Sequence, residues 1–101
     1  MPLLVLAAAT MHAQPAAEVR GSVVDARGGE ALSSVVVQLV GGAYRATTDT
    51  AGRFAFPSVA PGDYVLNVST VGYHLLKRPF HLDAGEIKDF EVVLGFKNFR
   101  D

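Results

Sequence analysis

His74 and His81, with Asp25, Asp49, Asp63 and Asp83, are the residues whose types could do chemistry in this chain. A zinc site needs three or four converging ligands. The two histidines lie seven positions apart around Pro79, and the sequence fixes no carboxylate close to either. They read as surface histidines on an edge strand. Each of the four aspartates stands at the end of a strand-like stretch, where a carboxylate caps a turn. Calcium would need several of them to converge in space, because it takes six or more oxygen ligands. Serine is common, but the one Gly-Ser stretch, "GSVVD" from Gly21, lacks the strand–turn–helix setting of a nucleophile elbow. The pairs Gly28-Gly29 and Gly41-Gly42 have no following lysine or helix and read as turn glycines, not a phosphate cradle. No convergent polar set emerges, so the sequence argues against an enzyme and calls for no metal and no cofactor. Two tyrosines remain as candidates for surface contact. Tyr44 and Tyr73 could stack on a sugar ring or dock a protein. Tyr73, just after Gly72, suits a packed corner and an exposed contact equally.

These residues must be positioned by a small chain. It has 101 residues, enough for one domain. Half are apolar and 19% are charged, a globular composition. Net charge is −1 and no basic block occurs, so nucleic acid is not an expected partner. Cysteine is absent, which excludes disulfides, thiol catalysis and cysteine-bound zinc. It does not decide the compartment.

The opening "MPLLVLAAATMHAQ" differs from the rest of the chain. Leu3 to Ala9 are continuously apolar, and small residues lead out to Ala13. Residues 1–13 therefore read as a signal peptide, and 14–17 as a short linker. No Lys or Arg precedes the apolar run, which fits a leader whose true start lies upstream. The run is about half the roughly 20 residues needed to span a bilayer as a helix, so no transmembrane span is expected. The expected location is the periplasm or the periplasmic side of an outer membrane, with secretion as the runner-up.

From residue 18 the chain reads strand, turn, strand. "VRGSVVD", "SVVVQLV", "AYRATT", "RFAF", "YVLNVST", "HLLKRPFHL" and "IKDFEVVL" are rich in β-branched and aromatic residues. Glycine- and proline-bearing turns separate them. In "SVVVQLV", Val35, Val37 and Leu39 share one face and Val36, Gln38 and Val40 the other; both are mostly apolar, which predicts a central strand. Tyr64, Leu66 and Val68 point one way and Val65, Asn67 and Ser69 the other; in the last strand Phe90, Val92 and Leu94 point inward with Asp89 and Glu91 outward. "TDTAGRFAF", Thr48 to Phe56, reads as a β-hairpin with a polar tip, and Pro61-Gly62 suits a type II turn. Pro79 marks an edge strand or a bulge. The expected fold is an all-β, Greek-key sandwich of about seven strands. Phe96 and Phe99, in the tail 95–101, either cap the sandwich or begin a continuation.

The assembled pattern resembles the carboxypeptidase regulatory-like domain, a transthyretin-like and starch-binding-like β-sandwich. The residues that carry the resemblance are Gly21, Val23, Asp25 and Gly28; Leu32, Val35 and Val37; Thr48, Asp49, Gly52, Phe54 and Phe56; Pro61, Gly62, Tyr64, Leu66 and Val68; and Gly72-Tyr73, with "IKDFEVVL" similar to the family's last strand. It covers residues 18–94. It implies a non-catalytic module with no catalytic residues to carry over. In many TonB-dependent outer-membrane receptors such a module directly follows the signal peptide. The resemblance therefore implies an accessory or interaction module of a bacterial envelope protein, partnered by a protein or by adjoining domains. A small secreted carbohydrate-binding module is the alternative.

Overall fold

A computed structural model describes residues 15–97. Its seven strands are β1 (Ala17–Asp25), β2 (Val36–Val40), β3 (Tyr44–Thr47), β4 (Arg53–Val59), β5 (Gly62–Ser69), β6 (Leu76–Leu82) and β7 (Ile87–Leu94). They form two sheets, ordered β4-β1-β7 and β3-β2-β5-β6. This is the all-β sandwich expected from the pattern, built of two sheets, and it is consistent with the transthyretin-like fold that the resemblance implies. The tail residue Phe99 lies outside the described residues, as does the leader.

Alternation builds the core. Val35, Val37 and Leu39 are buried, and so are Tyr64, Leu66, Val68, Phe90, Val92 and Leu94. Each fully buried Leu or Val contributes about 1.5–3 kcal/mol relative to exposure. β2 lies between β3 and β5, as its two apolar faces predict. β6 is an edge strand, with Pro79 opposite Val65. Phe80 and Phe90 meet edge to face, with ring centres 5.1 Å apart, and so join the two sheets on the β6–β7 side.

Two features depart from the expectation. The segment Thr48–Phe56 is not a hairpin: β3 pairs with β2 in one sheet, and β4 pairs with β1 in the other. The turn itself has the expected chemistry. Asp49 Oδ1 accepts the N–H groups of Ala51 and Arg53, each at 2.9 Å. The long-range contacts then separate the strands. Val23 N–H donates to the Gly52 carbonyl at 2.8 Å, drawing the chain onto β1. Gly52 has φ +74°, and a Cβ there would lie 2.7 Å from the Val23 carbonyl oxygen. Gly21, paired with Phe54, continues the seam: its missing side chain leaves room for the Phe54 ring. The second departure is at Gly62. It opens β5 with φ +152°, well away from the about +80° of a type II turn, because this connection also changes sheets.

β1 and β7 pair in parallel, in unbroken register from Glu18↔Ile87 to Asp25↔Leu94. The first and last strands are thus side by side, and the end of β7 lies next to the end of β1.

Candidate functional site

Tyr73 and Tyr44 lie beyond opposite ends of β5, and both are half-buried. Tyr73 closes a charged cluster. Asp25, the last residue of β1, is 2% exposed. Its carboxylate accepts the Arg27 backbone N–H at 2.7 Å, Arg27 Nε at 3.1 Å and Nη2 at 2.8 Å. The Tyr73 hydroxyl donates to Asp25 Oδ2 at 2.5 Å. Hydrogen bonds from the Arg27 side chain, then from Tyr73 and the Arg27 backbone, hold the Asp25 carboxyl well below the usual carboxylate range. The same bond to Asp25 pushes the Tyr73 phenol up. The Arg27 guanidinium lies 4.0 Å from the centre of the Phe96 ring, which also meets Tyr73 edge to face at 5.6 Å. Backbone bonds from His74 N–H to Gly95 C=O and from Lys97 N–H to Gly72 C=O complete this end. Phe96 packs on Tyr73 and Arg27 at this end while remaining 45% exposed. Tyr73 is half-buried, with its hydroxyl on Asp25.

Tyr44 stands at the start of β3. Its hydroxyl accepts the Ala60 N–H at 3.0 Å, while the Tyr64 hydroxyl donates to the Ala60 carbonyl at 2.6 Å. Its ring packs edge to face on Phe56 and Tyr64. Burial, then the neighbouring Tyr44, pushes the Tyr64 phenol up. Tyr44 and Tyr64 thus tie the β4–β5 connection to the core, and the two candidate tyrosines do not form one surface.

The aspartates cap turns or bind neighbours. Asp63 and Asp83 do converge, on His81. Imidazole Nδ1 lies 2.7 Å from Asp63 Oδ1, and Nε2 lies 3.0 Å from Asp83 Oδ1. The expectation that no carboxylate stands close to either histidine fails at His81: Asp83 is only two residues on in the sequence, and the β5–β6 register brings Asp63 to the other nitrogen. Hydrogen bonds to Asp63, then Asp83, push the imidazole pKa up, and in its protonated form the ring donates from both nitrogens. Next to it, the Asp83 N–H and then Lys88 pull the Glu86 carboxyl down. Among the described residues no group of three or more His, Cys, Asp or Glu side chains could hold a metal ion. His74, outside β6, contributes its backbone N–H to Gly95.

The outer surface of the β4-β1-β7 sheet has an arrangement that residue-by-residue reading missed. Arg20, Ser22, Arg53, Asp89 and Glu91 line a shallow concavity of about 720 Å³. Register puts Arg20 beside Asp89 and Ser22 between Arg53 and Glu91. The alternation of charged residues in "IKDFEVVL" was the visible signal; their neighbours depend on the parallel pairing. No nucleophile–base pair is present there. The surface suits charge-complementary contact.

The family model described as carboxypeptidase regulatory-like domain matches residues 18–95. The chain belongs to the carboxypeptidase regulatory-like domain family. As a member of a regulatory-like family without catalytic machinery, this domain is a non-catalytic module. No curated protein sequence matches it. Solved structures that share the fold include a 3-chlorocatechol 1,2-dioxygenase from Rhodococcus opacus, at 14% identity and TM-score 0.66, covering 87% of this chain and 62% of that one. A minor pilin of Streptococcus agalactiae matches at 16% identity and TM-score 0.69, covering 85% and 47%. A putative carbohydrate-binding protein from Bacteroides uniformis matches at 17% and 0.60, covering 79% and 41%. The chain spans less than two thirds of each of these relatives. An enzyme, a pilin and a putative sugar binder share this sandwich, so at these identities the likeness concerns the fold alone.

Proposed function

We propose that this carboxypeptidase regulatory-like domain is an exported accessory module of a bacterial cell-envelope protein, the N-terminal extension of a TonB-dependent receptor, acting through contacts with a protein partner or adjoining domains. The observation that carries the reading is the family match over 18–95 immediately behind the apolar run Leu3 to Ala9. The commitment of the aromatic rings to the interior supports protein contact over sugar stacking. The hydroxyls of Tyr44 and Tyr73 are spent on Ala60 and Asp25, and Phe96 is the large aromatic side chain left substantially exposed among the described residues. The fold neighbour that is a minor pilin is consistent with an envelope setting.

The alternative is a small secreted carbohydrate-binding module, favoured by the exposed Phe96 ring and by the putative carbohydrate-binding neighbour. Two measurements separate the readings. Mass spectrometry of the natural protein's N-terminus is expected to find cleavage ahead of Pro15; an intact Met1 on the mature chain overturns export. Titration against a glycan panel is expected to show no saturable binding at about 1 mM sugar. Saturable binding that depends on Phe96 would establish the alternative.

A further inference from the structure

The last strand leaves one side of its backbone open. β7 lies at the edge of its sheet. The Glu86 and Leu94 carbonyls accept from Glu18 and Ala26, so the even-numbered residues of this segment direct their backbone groups at β1. Backbone groups of successive strand residues point to opposite sides. Ile87, Asp89, Glu91 and Val93 therefore present N–H and C=O along the free edge. The other three edge strands are blunted. β3 is four residues long, β4 contains Pro57 and a register shift against β1, and β6 contains Pro79. β7 has no proline and no register break. Such an edge is a template for an added strand.

The molecule already uses this edge just beyond β7. His74 N–H bonds the Gly95 carbonyl, and Tyr73 bridges Phe96 in antiparallel sense. Residues 72–74 thus occupy the edge past Leu94 and leave the stretch from Ile87 to Val93 uncovered among the described residues.

We propose that this stretch accepts an extended segment of a partner protein, with lysine or arginine facing Asp89 and Glu91 and apolar side chains facing Ile87 and Val93. The inference rests on the reading of the domain as an interaction module. The outward side chains of β7 choose the occupant. Asp89 and Glu91 are exposed, and Ile87 and Val93 are each more than half exposed. The Arg20 guanidinium lies 3.5 Å from Asp89, an exposed pair that leaves the carboxylate available. A second copy of this chain is a poor occupant. Antiparallel pairing of two β7 strands about Phe90 would set Asp89 against Glu91 twice, and like charges directly opposite destabilise a sheet. The partner's inward positions would lie over Phe80, half-buried at the mouth between β6 and β7, and there a β-branched residue fits.

The test uses the purified protein and the peptide Val-Thr-Lys-Val-Lys-Thr-Val, with Val-Thr-Glu-Val-Glu-Thr-Val as its opposite. The lysine peptide is expected to slow hydrogen exchange at the amides of Ile87, Asp89, Glu91 and Val93, while those of Phe90 and Val92 are already protected. It should bind at least about tenfold more tightly than the glutamate peptide, a difference of about 1.4 kcal/mol. Glu91→Pro removes a free-edge donor and leaves the β1 ladder intact, so it should weaken binding about tenfold or more. If that variant fails to fold, the double variant Asp89→Lys, Glu91→Lys should reverse the preference between the peptides. No protection at about 1 mM peptide, equal affinity for both peptides, or an unreversed preference would overturn the proposal. So would self-association of the natural protein through β7. None of these outcomes depends on where the protein resides in the cell, so they do not test the export reading.

Discussion

Replacing Thr48 by valine changes one hydroxyl into a methyl at nearly constant shape. Thr48 is 5% exposed. Its hydroxyl accepts the Val35 N–H at 2.9 Å and donates to the Leu32 carbonyl at 2.7 Å. Main-chain bonds between Thr48 and the stretch Ser34–Val35 flank it, at 2.9 Å each. The side chain therefore pins the irregular segment before β2 to the end of β3. In Thr48→Val the Val35 N–H, on a residue 1% exposed, loses its partner away from water. An orphaned buried group costs about 1–3 kcal/mol. The Leu32 carbonyl is only part-buried and recovers a water. The added methyl returns a fraction of this through apolar burial. The net loss is about 2 kcal/mol, a drop of about 8–16 °C in Tm for a domain of this size. Thr48→Ser keeps both bonds and loses one methyl, about 1 kcal/mol, or about 4–8 °C. Thermal unfolding followed by circular dichroism ranks the three proteins. A valine variant as stable as the serine variant would show that shape, and not the hydroxyl, holds this corner.

The same geometry sets three more outcomes. Gly21→Ala drives a Cβ into the Phe90 carbonyl oxygen and to 2.8 Å from the Phe54 ring, so β1 must shift; urea unfolding should show a loss of about 1–3 kcal/mol or more, and an unchanged midpoint would contradict the close packing. Tyr73→Phe removes a donor from the Asp25 carboxylate, whose pKa should rise toward the ordinary carboxylate value in a carbon-detected NMR titration; an unmoved pKa would mean that Arg27 alone sets it. The His81 pKa is raised in the folded state, so its stabilisation is complete below about pH 6.5, the unfolded value, and is lost as pH rises through the folded value. His81→Asn should flatten that part of the Tm-against-pH curve, and an unchanged slope would mean that the Asp63–His81–Asp83 bridge adds nothing to stability.

Which parts of the structure were legible in the sequence depends on the range of the forces involved. Alternation is local, so β2, β5 and β7 and their inward residues could be read directly, and the bounds of β7, Ile87 to Leu94, are those expected. The crossing between β3 and β4 could not. Asp49 and Gly52 build the same turn whether the flanking strands pair or diverge, and the decision lies with Val23 and Gly21, far away in the chain. The cluster at Asp25 was half visible, since Arg27 is two residues on, but Tyr73 is 48 positions away and joins through the fold. His81 acquires Asp63 only through the β5–β6 register. The parallel pairing of β1 with β7 has no local signature, and it is this pairing that frees one edge of the last strand.

An accessory piece of an envelope protein should be found in the envelope, attached to something larger than itself. An antibody raised against residues 18–94, used on fractionated cells of the source organism, checks both points at once. The expected result is a large species in the outer-membrane fraction, carrying this domain at its front. A species of about this chain's size in the cytoplasm would contradict the envelope assignment, and the domain's partners would then have to be sought there.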